Sequence, residues 1–73
     1  MLTRVLIADD HAMTAQGMDQ LVRKINGFEV VATVTSGLAA IAKAKALKPD
    51  LMVLDYAMPD ANGMEIFLEA THW

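Results

Sequence analysis

The sequence of 73 residues contains no cysteine. This absence excludes disulfide bonds, thiolate catalysis and thiolate metal sites, and it is what we expect of a cytoplasmic protein. The N-terminus also lacks the extended apolar segment and the small-residue cleavage site of a secretory signal. We therefore predict no export signal and a cytoplasmic location.

Clustered positive charge is missing as well. The six lysine and arginine residues are scattered, and the formal net charge is −3, so the sequence lacks the electrostatic pattern of a nucleic-acid-binding surface. No apolar run is long enough to span a membrane. With 55% hydrophobic and 21% charged residues, the chain is also too apolar for a disordered segment. We expect one small, soluble, globular domain that contacts neither nucleic acid nor membrane.

Three short apolar runs predict β-strands. Residues 5–8 form the first run and residues 30–34 the second, which is rich in β-branched side chains. Residues 51–54 form the third run. The first run, which is continuously apolar and stops at an acidic pair, is typical of a parallel strand that is buried on both faces.

The segments between these runs predict helices. In the first segment, the predicted helix ends near Asn26-Gly27. Four apolar residues have the spacing of one helix face: Met18, Leu21, Val22 and Ile25. Four residues of the second segment form a stripe that ends before Pro49: Leu38, Ile41, Ala44 and Leu47. After the third strand, Asn62 and Glu65 resemble a capping box that would begin a third helix. The resulting βαβαβα order predicts an α/β fold with a parallel sheet.

Acidic residues follow two of the predicted strands. Asp9 and Asp10 come directly after the first strand, and Asp55 follows the third. Because parallel strands end at one edge of a sheet, we expect these carboxylates to converge there if the two strands are neighbours. Their mutual repulsion would be relieved by an oxygen-preferring cation such as Mg²⁺. A carboxylate beside such a cation can attack phosphorus and form an acyl phosphate.

Each acidic motif alone has a simpler explanation, since aspartate is common in turns and at helix N-termini. The combination at two strand ends favours a metal and phosphoryl site. His11 lies next to the acidic pair, but a single histidine lacks the partners of a zinc site. We interpret it as a loop residue at the rim.

Two segments carry a resemblance to a known family. Residues 4–11 resemble the opening strand and acidic pair of response-regulator receiver domains of two-component signalling, particularly those attached to helix-turn-helix DNA-binding outputs. Residues 48–59, followed by Asn62-Gly63, are similar to the phosphoacceptor segment of that family. The resemblance implies a truncated flavodoxin-like receiver fold with strand order 2-1-3. Residues 1–73 would then be a partial receiver domain comprising its first three strand-helix units.

The resemblance also implies roles for individual residues. Asp55 would accept a phosphoryl group from a histidine kinase, in a phosphorelay that regulates transcription, and the module itself would not be an enzyme. Asp10 would bind Mg²⁺ directly, Asp9 would act largely through a bound water, and the backbone carbonyl of Ala57 would complete the protein ligands. A complete receiver also uses a hydroxyl residue and a lysine on its fourth and fifth strands, which these 73 residues do not include.

Two other functions compete with phosphoacceptance. The first is a binding or dimerisation fragment without phosphoryl turnover, which would self-associate through the exposed edge of the third strand. The second is a hydrolase with an aspartyl nucleophile. Such enzymes generally place an acid/base aspartate two residues after the nucleophile, where this chain has Ala57. We therefore set the hydrolase aside.

Overall fold

The computed structural model describes residues 2–55, in which strands and helices alternate. The elements are β1 (Thr3–Ala8), α1 (Ala12–Arg23), β2 (Phe28–Val34), α2 (Gly37–Leu47) and β3 (Leu51–Leu54). All three predicted strands are present, and β1 and β2 each begin two residues earlier than predicted. The predicted third helix lies outside the described residues. No helix in the described part of the chain has the length and apolar character needed to cross a membrane.

The three strands form one parallel sheet in the order β2-β1-β3, as predicted. Ala8, the last residue of β1, is paired with Val34 of β2 and with Leu54 of β3. All three strands therefore end at the same edge of the sheet. This alignment brings the residues that follow β1 and β3 next to each other.

The central strand β1 is buried on both faces. Val5 and Ile7 pack with Val22 on the side covered by α1. On the opposite side, Ala8 packs with Ala40 of α2 and Leu6 packs with Ala44 of α2. Each large apolar side chain buried in this way contributes about 1.5–3 kcal/mol relative to an exposed one. The two-sided burial explains why the β1 sequence shows no polar alternation.

Strand β2 contains a bulge that the sequence did not predict. Val30 pairs with Val5, whereas Ala32 pairs with Leu6, so Val31 is an extra residue without a partner in β1. In a regular strand, residues 30 and 32 would point to the same face. Here Val30 packs on the α1 side and Ala32 on the α2 side. The bulge therefore changes which residues of β2 face each helix.

Helix α1 contacts the sheet through a narrower face than its sequence predicts. Val22 is buried and Met18 packs against the same cluster, but Leu21 is 60% exposed and Ile25 is 48% exposed. The helix ends at Arg23, so Ile25 belongs to the turn that follows it. The prediction that Leu21 and Ile25 share the buried face was wrong, because the line of contact with the sheet passes through Ala15, Met18 and Val22.

Helix α2 lies against the sheet through small residues. Gly37, Ala40 and Ala44 are its buried residues, whereas Leu38 is 64% exposed. The prediction that Leu38 belongs to the contact stripe was therefore wrong. Small side chains allow a helix to lie close to a sheet, and the larger residues are then displaced to the flanks. Ser36 is the N-cap residue of the helix, and its hydroxyl accepts a hydrogen bond from the Ala39 amide at 3.0 Å.

Arg4 joins three elements at the edge of the sheet where β1 and β3 begin. Its Nη1 atom donates to the carbonyls of Leu47 at 2.7 Å and Lys48 at 3.2 Å, at the C-terminal end of α2. Its backbone amide donates to Asp50 Oδ2 at 2.9 Å, and the Asp50 amide donates to the Arg4 carbonyl at 2.9 Å. The guanidinium group thus satisfies helix carbonyls that have no partner within the helix.

Candidate metal and phosphoryl site

The two acidic segments continue the hydrogen-bonding pattern of the sheet beyond the strands. The Asp9 amide donates to the Val34 carbonyl at 3.1 Å, and the Asp55 amide donates to the Ala8 carbonyl at 2.9 Å. The backbones of Asp9 and Asp55 are therefore held by hydrogen bonds to neighbouring strands. Strand pairing decides where the two carboxylates lie.

The carboxylates converge, as the strand order predicts. Asp9, Asp10, His11 and Asp55 each offer one potential ligand atom, and these atoms all lie within 4.8 Å of one another. Two ligands on opposite sides of a hard divalent cation lie roughly 4–5 Å apart, since each bond is roughly 2.0–2.6 Å long. The cluster therefore has dimensions that suit a single cation.

Asp10 provides the observation that tests this fit. Its Oδ1 atom is buried and accepts no hydrogen bond among the described residues. A buried carboxylate oxygen without a hydrogen bond is costly, and coordination of a cation is one way to satisfy it. Asp9 differs, because its Oδ1 accepts a hydrogen bond from the His11 amide at 2.9 Å. The donor set of three carboxylates suits Mg²⁺, which prefers oxygen ligands.

His11 is closer to the site than the sequence indicates. Its Nδ1 atom lies 3.0 Å from Asp10 Oδ1 and 3.5 Å from Asp9 Oδ1, although the side chain is 75% exposed. The contact with Asp10 Oδ1 does not have hydrogen-bond geometry. The position of His11 directly after Asp9-Asp10 indicated that it lies near the site. The direction of its ring depends on the turn between β1 and α1, and residue spacing does not predict that direction.

Ala57, whose carbonyl we predicted as a ligand, lies outside the described residues. The same is true of the segment that follows it, with Pro59 and Gly63. The described part of the site therefore consists of one nucleophile candidate, Asp55, and two further carboxylates beside it. Such a group can hold a divalent cation next to a carboxylate that attacks phosphorus.

Comparison with known proteins identifies the family. The family model of the response regulator receiver domain matches residues 5–70. The response regulator GacA of Pseudomonas viridiflava is 38% identical over 64 residues, which cover 88% of this chain and 30% of GacA. The response regulator protein VraR of Staphylococcus aureus is 43% identical over 65 residues, which cover 89% of this chain and 31% of VraR.

A solved structure gives the same result for the fold. The crystal structure of the response regulator domain of Thermotoga maritima CheB matches with a TM-score of 0.88 and 33% identity, over 94% of this chain and 52% of that chain. The chain thus spans about half of that receiver structure and less than a third of GacA and of VraR. The resemblance seen in the two sequence motifs is confirmed. This chain belongs to the response regulator receiver domain family of two-component signalling.

Proposed function

We propose that this chain is a phosphoacceptor module that takes a phosphoryl group on Asp55 from a histidine kinase in the cytoplasm. Asp9, Asp10, Asp55 and the backbone carbonyl of Ala57 would hold Mg²⁺. The observation that carries the proposal is the convergence of the three carboxylates, one of which has a buried oxygen without a hydrogen bond. The resemblance to regulators with helix-turn-helix outputs suggests that the module controls transcription.

Asp55 is the residue that reacts. One of its carboxylate oxygens forms a bond to phosphorus while the P–N bond of a phosphohistidine breaks, and the electron pair of that bond stays on the imidazole nitrogen. When bound, Mg²⁺ neutralises negative charge on the transferring phosphoryl oxygens. The backbone of Asp55 is held by the hydrogen bond from its amide to the Ala8 carbonyl, which fixes the point on the sheet edge from which the carboxylate extends.

The other two carboxylates have different surroundings, and these support different roles. Asp10 has the buried oxygen that lacks a hydrogen bond, which suits direct coordination of the cation. Asp9 already uses one oxygen to accept the His11 amide, which suits a role through a bound water. Both side chains are less than a third exposed, so their charges are only partly screened by solvent.

Intact-mass spectrometry tests this proposal. The 73-residue chain is incubated with Mg²⁺ and acetyl phosphate, and we expect a mass gain of one phosphoryl group. Asp55→Asn should show no gain. Asp50→Asn is a matched control, because Asp50 lies at the opposite end of β3 and should leave the reaction unchanged. Absence of the adduct from a folded parent sample would contradict the proposal.

The second candidate function is a binding or dimerisation fragment without phosphoryl turnover. The chain covers 52% of the CheB receiver structure, and β3 pairs with β1 on one side only within the described residues. Leu51 of β3 is also 42% exposed. Self-association through this edge would pair the backbone groups of β3 that have no strand partner within residues 2–55. Sedimentation velocity tests the idea, and a monomer that persists at high protein concentration would refute it.

A further inference from the structure

His11 occupies the N-cap position of α1, but its side chain makes no capping hydrogen bond. Serine, threonine, aspartate and asparagine are preferred at this position because their side chains can accept a bond from the helix amides. The imidazole ring is instead directed toward the carboxylates, with Nδ1 3.0 Å from Asp10 Oδ1. Helix capping therefore does not account for the placement of this side chain.

The position of Nδ1 matches that of a metal ligand. Neighbouring ligands of a six-coordinate cation lie roughly 3 Å apart, since bonds of roughly 2.1 Å meet at right angles. Nδ1 has this separation from Asp10 Oδ1. His11 and Asp10 also each contribute an atom to the group of potential ligands that lie within 4.8 Å of one another. Asp10 Oδ1 is the buried oxygen without a hydrogen bond. A cation bound by that oxygen would thus have the imidazole nitrogen within reach.

We propose that His11 Nδ1 is an additional ligand for divalent transition-metal ions such as Co²⁺, which makes the site favour these ions over Mg²⁺ more strongly than carboxylates alone would. The inference rests on the proposed cation site formed by Asp9, Asp10 and Asp55. Imidazole is a good ligand for the later transition metals, whereas Mg²⁺ prefers oxygen. Because the His11 side chain is 75% exposed, it can rotate away with little loss of packing and leave Mg²⁺ to the oxygens.

Cation titration of the untagged 73-residue chain tests the inference. Calorimetry gives the affinities for Co²⁺ and Mg²⁺, and proton NMR of the Co²⁺-loaded chain detects imidazole signals shifted by the paramagnetic ion. The test variant is His11→Ala, and His11→Asn restores a capping side chain in case the alanine weakens α1. His72→Ala is the matched control, since His72 is the other histidine of the sequence.

Removal of His11 should weaken Co²⁺ binding by at least about tenfold, the lower end of the loss known for outer-shell partners of metal ligands. The shifted imidazole signals should disappear, Mg²⁺ affinity should stay the same, and His72→Ala should retain both properties. Unchanged Co²⁺ affinity in both His11 variants would overturn the inference and leave the phosphoacceptor proposal standing. A parent chain that binds neither cation would overturn both.

Discussion

The contact between Arg4 and the end of α2 gives the prediction with the clearest magnitude. Arg4→Met keeps most of the apolar stem but removes the guanidinium group, which donates to the carbonyls of Leu47 and Lys48. Hydrogen bonds from a charged group contribute about 1.5–3 kcal/mol, and the favourable charge at a helix C-terminus adds about 0.3–1 kcal/mol. Because one of the two bonds is exposed, we expect a total loss of about 2 kcal/mol.

A loss of this size is large for so short a chain. In a domain of 60–100 residues, 1 kcal/mol lowers the melting temperature by about 4–8 °C, so Arg4→Met should melt about 8–16 °C below the parent. Thermal and urea unfolding followed by circular dichroism measure the change. The affinity of the candidate site for Mg²⁺ should be unaffected in the folded variant, because Arg4 lies where the strands begin and the site lies where they end.

Two further variants separate the guanidinium group from its charge. Arg4→Lys retains a positive charge but loses the fork that reaches two carbonyls, so its stability should fall between those of the parent and Arg4→Met. Lys43→Met removes a positive charge from an exposed position of α2, the helix whose end Arg4 contacts. This change should alter the free energy of unfolding by less than about 0.5 kcal/mol. The reasoning would be refuted if Arg4→Met were no less stable than Lys43→Met.

Two other changes test the helix cap and the acidic cluster. Ser36→Ala removes the acceptor for the Ala39 amide and should lower stability by about 1 kcal/mol in thermal unfolding. Thr35 is an exposed neighbour, so Thr35→Ala should leave stability unchanged. Equal losses in the two variants would contradict the assignment of Ser36 as the helix cap. Asp10→Asn removes one repelling charge, so the variant should melt above the parent in EDTA. It should also lose the stabilisation by Mg²⁺, which in the parent grows by about 1.4 kcal/mol for each tenfold excess over the dissociation constant. A variant that still gains as much from Mg²⁺ as the parent would argue against Asp10 as a ligand.

The features that the sequence predicts well depend on local patterns. Residues 5–8 of β1 and residues 51–54 of β3 are apolar runs that stop at aspartates, a pattern that indicates strands of a parallel sheet. Strand ends in turn place the acidic residues, so the meeting of Asp10 with Asp55 follows from topology alone. These parts of the fold and of the site need no knowledge of side-chain packing.

The features that the sequence misses depend on contacts between distant segments. Helical spacing identifies an apolar side of α1 and α2 but not the line along which each helix meets the sheet, so Leu21 and Leu38 were assigned to the wrong surface. The contact of Arg4 with the end of α2 joins residues more than forty positions apart. The direction of the His11 ring depends on the conformation of one turn.

The extra residue in β2 has a consequence for how the length of this chain can change. Removing one residue from a buried strand normally turns every following side chain to the opposite face. Without Val31, however, Val30 would still pair with Val5 and Ala32 with Leu6, and the strand would become regular. Because residues 30 and 31 are both valine, loss of either codon gives the same protein sequence and the same regular strand. A relative that is one residue shorter at this point would have an equivalent strand, and the gap in a sequence alignment would mark a missing bulge.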